Sequence, residues 1–210
     1  MDRSNFTFVI TAYRSNKIID ECLKDLPKDI KKIVVDNSAD VKLKNIIEKR
    51  YENTKCYLMT ENLGYGKGNN FGIKKSNTNY VFILNPDTKI NEEKFSKIVS
   101  LIRNKDFAIA APQIVEKLKV YKQNKTNDDV LEVEQVPGMA MIINKKKFNN
   151  NFFDENIFLY LEEIDLCKRM KNIGESILEI NAPPFSFIKN VCASGSPPSS
   201  PASSAESELP

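Results

Sequence analysis

The sequence predicts an α/β protein: a mostly parallel central sheet flanked by helices. Two observations predict it. Through the first half of the chain, short apolar runs alternate with segments whose apolar residues recur at helical spacing. That alternation argues for parallel strands joined by helices packed on the sheet's faces. Several of the apolar runs also stop on polar residues with turn chemistry: Thr11-Ala12-Tyr13, Asp36-Asn37-Ser38 and Asn85-Pro86-Asp87. Ligands of open α/β sheets bind outside the carboxyl ends of the strands. Three polar strand ends on one rim therefore mark the place to look for chemistry.

The elements follow in order. Phe6–Ile10 reads as a buried first strand. Ile18, Ile19, Cys22, Leu23 and Leu26 make a helical face that Pro27 closes. Ile33–Val35 is a second strand, and Val41, Leu43, Ile46 and Ile47 mark a second helix. Cys56–Met59 is a third strand, followed by a glycine-rich loop and a helix towards Lys75. Tyr80–Leu84 is a fourth strand, ending on Asn85-Pro86-Asp87. Phe95, Ile98, Val99 and Ile102 form another helical face, and Phe107–Ala111 a further strand. Beyond it the pattern loosens. Lys117–Asp129 reads as a polar loop, Val130–Val136 and Met139–Ile143 as strands around Pro137-Gly138, Leu161–Met170 as a helix and Ile177–Ile180 as a strand. Composition breaks near Asn190: residues 191–210 hold seven serines, four prolines and three alanines, without Lys or Arg. Such a segment cannot bury enough apolar surface to fold. It reads either as a disordered linker or as a foreign terminus on a natural domain cut short.

Composition excludes several chemistries. With 210 residues, one domain with a substantial core is expected. The net charge of +3, with lysines spread along the chain, does not call for nucleic acid. There is no histidine. Ser-His-Asp and Cys-His catalysis are excluded, as are His-rich zinc sites, and a general base must come from a carboxylate or, less often, Lys, Tyr or Cys. Cys22, Cys56, Cys167 and Cys192 form no Cys-x-x-Cys pair; Cys22 and Cys167 lie in apolar helical patterns and read as small core residues. A reducing, cytosolic setting fits this usage. The first apolar stretch, Phe6–Ala12, is too short to span a bilayer and lacks a cleavage region, so any membrane contact is expected to be peripheral.

Four constellations can carry chemistry. Asp36 can accept from an imide N–H or a ribose hydroxyl, and Tyr13 can lie against a base. The same Asp and Ser also suit an Asx-turn and a helix cap. Asn62-Leu63-Gly64-Tyr65-Gly66-Lys67-Gly68-Asn69-Asn70-Phe71-Gly72 packs four of the chain's seven glycines into nine positions. Glycine permits close approach of backbone to a ligand, but the spacing is neither a dinucleotide fingerprint nor a Walker A loop. Asp87 can hold Mg²⁺ or Mn²⁺ against a diphosphate, or serve as ordinary turn chemistry. Finally, Glu162, Glu163 and Asp165 open a helix, where acids favour the positive dipole end. Residues 162 and 165 share a face and 163 points about 100° away, free to project into a site. The preceding Phe152-Phe153 and Phe158-Leu159-Tyr160 offer apolar walls that raise a carboxylate's pKa.

Taken together, these pieces resemble glycosyltransferase family 2, and within it the rhamnosyltransferase-like members. The motifs are Thr11-x-Tyr13, Val35-Asp36-Asn37-Ser38, Asn62-x-Gly64 with Asn70-x-Gly72, Asn85-Pro86-Asp87, Pro137-Gly138, and Phe153-Asp154-Glu155 leading into Tyr160–Arg169. The resemblance spans about residues 5–182. It implies a GT-A fold over residues 1–189, with a nucleotide-sugar-binding half to residue 111 and an acceptor half from 112. It implies inverting transfer from a nucleotide-diphosphate sugar, either dTDP-rhamnose or a UDP-sugar, to a glycan or lipid-linked acceptor, in the cytoplasm or at the inner face of the membrane. Glu163 would be the catalytic base, with Glu where the family usually has Asp. Asp87 would hold the divalent metal. Thr11, Tyr13, Asp36, Asn62, Gly64, Lys67, Asn70, Asn85, Gly138 and Glu162 would bind substrate. The histidine that family members usually carry after the last strand has no counterpart here. Two other readings share these features: a nucleotidyltransferase, whose glycine loop would normally follow the first strand, and a module that binds nucleotide-sugar without turning it over.

Overall fold

The computed structural model describes residues 1–113 and 128–182, together with the backbone of 186–187. The expected loop at 117–129 lies mostly outside these residues, and the tail from 190 lies wholly outside them.

The strands are β1 (Phe6–Ala12), β2 (Lys31–Asp36), β3 (Thr54–Leu58), β4 (Tyr80–Leu84), β5 (Thr88–Lys89), β6 (Ile109–Pro112), β7 (Val130–Glu132), β8 (Ala140–Asn144), β9 (Ile177–Ile180) and β10 (Ser186–Phe187). The helices are α1 (Ile19–Asp25), α2 (Val41–Arg50), α3 (Gly64–Lys75), α4 (Glu92–Ile102) and α5 (Glu162–Asn172). Eight strands form one sheet in the order β3-β2-β1-β4-β8-β6-β9-β7, and β5 pairs with β10 beside it. β3, β2, β1 and β4 are mutually parallel. β8 runs against β4 and β6, and β7 against β9, while β6 and β9 are parallel. The sheet is thus mostly parallel, as the alternation predicts.

Two apolar clusters cover its two faces. Phe8, Ile10, Val34 and Phe82 face α1, α2 and α4 through Cys22, Leu23, Leu43, Ile47, Phe95 and Ile98. Val9, Val35, Val81 and Ile83 face α3 and α5 through Ile73, Leu166, Cys167 and Met170. Consecutive residues of one strand serve opposite clusters, which is why these strands read as unbroken apolar runs rather than alternating ones. Capping is local: Asp40 accepts from the Leu43 N–H to start α2, and Asn91 from the Lys94 N–H to start α4.

Several boundaries differ from expectation. Val41 and Ile46 are exposed, so the buried apolar contacts of α2 come from Leu43 and Ile47. The strand expected over 130–136 pairs in register over Val130–Glu132, with one further bond from Val133 N–H to Ile177 O (2.9 Å), before the chain leads into the Pro137-Gly138 turn. Cys22, Cys56 and Cys167 are buried free thiols, as core residues should be.

The main correction concerns the glycine-rich segment. It is not a loop: all four glycines lie in α3. A Cβ on Gly72 would stand 2.4 Å from Val9 Cγ1, and one on Gly68 would stand 2.5 Å from Thr11 Cγ2. The glycines let α3 lie directly on β1, and tertiary packing overrides their weak helix propensity. Because β1 sits between β2 and β4, the chain reverses its winding there. The carboxyl ends of β1, β2 and β4 then open beside the start of β8 and the N-terminus of α3.

Candidate active site

Each strand end on this rim is tied to its neighbour. The Asn37 N–H donates to Ala12 O (2.8 Å), joining β2 to β1. Asn37 Nδ2 donates to Gly64 O (3.1 Å), joining both to α3. Gly64 has φ +76°, and a Cβ there would fall 2.3 Å from Phe158 O, the carbonyl that accepts from Tyr65 N–H. Only glycine meets both conditions. Asn62 Oδ1 accepts from the Gly64 N–H (3.0 Å) and closes the turn before the helix.

Asp36 is fully buried, and both its oxygens are used: Oδ1 accepts from Ser38 N (2.9 Å) and Oδ2 from Asp40 N (2.7 Å). This geometry builds the Asx-turn, and each carboxylate oxygen accepts one bond there with capacity for a second. Tyr13 is 46% exposed on the same rim with the Arg14 guanidinium 5.1 Å from its ring centroid, leaving a ring face for a planar ligand. Arg14 itself has φ +51°, held by its N–H on Ser38 Oγ.

Asn85-Pro86-Asp87-Thr88 is a turn closed by Thr88 N–H on Asn85 O (3.0 Å), and Asn85 N–H donates to Met139 O (2.9 Å). Asp87 is half-buried, its Oδ1 is buried without a partner, and burial pushes its carboxyl above the ordinary 3.8. Met139 leads back to Gly138, where a Cβ would lie 3.2 Å from Glu163 Cβ and 3.3 Å from Tyr65 Oη. Asp87 and Glu163 therefore flank one short stretch, Gly138-Met139, although 76 positions separate them in sequence (163 − 87). Glu163 is half-buried, whereas Glu162 is 3% exposed with Oε2 unpartnered, and burial raises its pKa. Asp165 is occupied by Arg169 (2.8 Å). Along α5, Glu163 thus packs on Gly138 while Asp165 pairs with Arg169.

Four of the buried polar atoms that lack a partner belong to this rim: Asn37 Oδ1, Asn69 Nδ2, Asp87 Oδ1 and Glu162 Oε2. Native proteins satisfy nearly all buried polar groups. A cluster of exceptions in one place is what a site looks like without its polar ligand. Asp87 Oδ1 is a hard oxygen donor of the kind Mg²⁺ or Mn²⁺ takes. Among the described residues no group of three or more His, Cys, Asp or Glu side chains could hold a metal by itself. Oxygens of a bound phosphate would have to complete the shell.

Comparison with known proteins decides the family. The family described as Glycosyl transferase family 2 matches residues 7–167 of this chain, which includes every element of the rim.

The chain belongs to glycosyltransferase family 2.

The low-salt glycan biosynthesis hexosyltransferase Agl10 of Haloferax volcanii is 25% identical over 199 residues, covering 81% of this chain and 64% of that protein. The rhamnosyltransferase WbbL of Escherichia coli K12 is 23% identical over 206 residues, covering 79% of this chain and 76% of WbbL. Among solved structures, the mannosyltransferase PcManGT of Pyrobaculum calidifontis, in complex with GDP-Man and Mn²⁺, superposes with a TM-score of 0.67. It is 12% identical, covering 88% of this chain and 56% of that one. The fold is GT-A, a mostly parallel sheet flanked by helices. The chain spans just under two thirds of the length of Agl10.

Not every residue singled out in this family-2 sequence reaches the cleft. Asn70 is 3% exposed: Nδ2 donates to Phe153 O (2.9 Å) and Glu155 Oε1 (3.1 Å), while Oδ1 accepts from Phe153 N (3.0 Å). It clamps the 153–155 segment, and both of its amide N–H donors are taken. Lys67 is exposed on α3, close enough to help lower the Glu155 pKa. Three further residues at this rim lie inside the motif segments without a predicted role. Besides Asn37, these are Tyr65, whose hydroxyl donates to Gly138 O (2.5 Å), and Asn69, whose Oδ1 accepts from Thr11 Oγ1 (2.9 Å).

A substitution separates the two roles of the asparagine doublet. Asn70→Ala would leave Phe153 N–H and O buried and unpaired, a loss of about 1–3 kcal/mol. Urea unfolding should show that loss while nucleotide affinity, measured on the folded fraction, stays within about twofold.

Proposed function

We propose that this family-2 chain carries the donor-binding and catalytic face of an inverting glycosyltransferase, moving a sugar from a nucleotide diphosphate to a glycan or lipid-linked acceptor. The observation that carries the reading is the convergence of unpartnered polar atoms on the rim where Asp87 and Glu163 flank Gly138-Met139.

Thr11, Tyr13 and the strand-end loops hold the nucleoside, with Tyr13 as the stacking surface. Asp87 would hold a divalent ion, which would supply neutralisation of charge on a leaving diphosphate. Support for an ion comes from the orphaned Asp87 oxygen and from Mn²⁺ in the complex of PcManGT. Glu163 accepts the proton of the acceptor hydroxyl as that oxygen attacks the anomeric carbon. The new C–O bond forms on the face opposite the departing diphosphate oxygen, so configuration inverts. Glu162, buried beside Glu163 with Oε2 unpartnered, hydrogen-bonds a sugar hydroxyl. Tyr65 ties the Gly138 carbonyl to α3 and so fixes the turn that Glu163 packs against. The donor is dTDP-rhamnose or a UDP-sugar, in line with the rhamnosyltransferase relative.

The test is a thermal-shift screen of dTDP, UDP and GDP with and without Mn²⁺, followed by assay of diphosphate release from the matching sugars. A ligand held at 100-fold its Kd stabilises the native state by about 2.7 kcal/mol. One nucleotide should raise the transition only when Mn²⁺ is present. Consumption of a nucleoside triphosphate and a sugar phosphate, with pyrophosphate released and the nucleotide-sugar formed, would instead identify a nucleotidyltransferase, and binding without release a non-catalytic module.

A further inference from the structure

The segment 158–161, just before α5, departs from ordinary surface design in three ways. Its side chains are all large and apolar, and all stand out of the protein: Phe158 is 58% exposed, Leu159 51%, Tyr160 76% and Leu161 63%. Tyr160 and Leu161 both take a left-handed backbone, with φ of +69° and +71°. Outside glycine this conformation is uncommon, and such strain gathers at functional positions. Leu161 also stands at the N-cap of α5 and makes no side-chain cap bond, where Ser, Thr, Asp or Asn would be favoured. The segment obtains no burial for these departures. It is nevertheless fixed in place, because Phe158 O accepts from Tyr65 N–H and presses against Gly64.

The apolar ledge continues along one helical face. Ile164, 38% exposed, and Lys168 follow Leu161 at spacings of three and seven. Lys168 is exposed and makes no ion pair among the described residues, and the same is true of Arg14 across the rim. Large apolar side chains beside unpaired cations are the pattern of a surface that lies in a lipid interface. A protein partner of matching polarity would not need the cations.

We propose that residues 158–161, with Ile164 and Lys168, form a membrane-contact surface that seats in the headgroup–acyl boundary of an anionic bilayer. The apolar side chains enter the boundary, and Lys168 and Arg14 meet headgroup phosphates. This deepens the transferase reading, on which it rests for its purpose: Glu163 follows the ledge by two residues, so seating the ledge puts that carboxylate where a lipid-linked acceptor presents its hydroxyl.

Vesicle flotation tests it without any turnover. The 210-residue chain should float with phosphatidylglycerol–phosphatidylcholine vesicles and far less with phosphatidylcholine alone. Tyr160→Ser/Leu161→Ser should lower the bound fraction by about tenfold or more, and Lys168→Glu by about fivefold. Thermal unfolding of both variants should come at no lower a temperature than the parent's, since the replaced side chains are exposed and Ser is favoured at the N-cap position that Leu161 holds. The proposal is overturned if the parent stays unbound with both vesicle types, or if the folded double variant floats as well as the parent. Light scattering showing that the ledge instead drives self-association would also overturn it. Because flotation reads no chemistry, its failure leaves the transferase reading intact, and loss of donor binding leaves flotation unaffected.

Discussion

Glu163→Gln should stop sugar transfer while leaving donor affinity within about twofold. Glutamine keeps the length and hydrogen-bonding reach of the side chain, but its amide oxygen is far too weak a base to take a hydroxyl proton. General-base catalysis supplies on the order of 10²–10⁴ in rate, and kcat should fall by that factor with KM for the donor unchanged. Glu163 Cβ packs against Gly138, so the replacement also keeps its contacts and the fold should be unaffected. The neighbouring acid gives the control. Glu162 is almost wholly buried with Oε2 unpartnered, and burial raises its pKa. Glu162→Gln removes a charge that burial disfavours at that position, and its effect on kcat should be much smaller. Single-turnover rates with saturating donor would separate the two. If Glu163→Gln turned over at the parent rate, the base would have to be sought elsewhere on the rim, with Tyr65 and Glu162 the nearest proton carriers.

The sequence made the layers legible because strand and helix periodicities survive burial on both faces. Phe8 and Val9 point to opposite clusters, so a central parallel strand shows itself as an uninterrupted apolar run. The rim was legible for the same reason: a buried strand that stops on Asn-Pro-Asp or Asp-Asn-Ser has to surface there. The glycine segment was not legible, since glycine is a poor helix former and four in nine positions read as a loop. Only its spacing carried the helical signal. Gly68 and Gly72 are four apart and face β1, Gly66 and Asn70 are four apart and face Phe153, and Tyr65 and Asn69 are four apart and face Gly138 and Thr11. Taken as a helix, the segment would have assigned Asn69 to the cleft and Asn70 to the scaffold. Asn37 stayed hidden beside Asp36 because both suit a turn. Only the fold shows that the carboxylate accepts from Ser38 N and Asp40 N while an amide oxygen next to it is left without a partner.

Asp87→Asn should reveal what the unpaired carboxylate does, because two measurements must move in opposite directions. Without ligand the native protein holds Asp87 half-buried with Oδ1 unpartnered, and burial raises its pKa from 3.8. A carboxyl whose folded pKa lies above its unfolded one binds its proton more tightly when folded. Stability therefore falls as pH rises from the ordinary carboxylate range through the raised value, and the penalty is fully present above that. Asparagine carries no charge to desolvate. The unliganded variant should melt at a higher temperature than the parent at neutral pH, and the gap should close as pH drops below the ordinary carboxylate range. With Mn²⁺ and the matching nucleoside diphosphate the order reverses. The parent gains by mass action; the variant, lacking an anionic oxygen for the ion, gains little, and its kcat/KM should fall by about 10²–10³. Electrostatic stabilisation of a leaving diphosphate is strongest where water is excluded, and the same exclusion makes an empty carboxylate site unfavourable. An Asp87→Asn protein that was both less stable alone and equally responsive to Mn²⁺ would mean that the carboxylate serves the turn and not the ion.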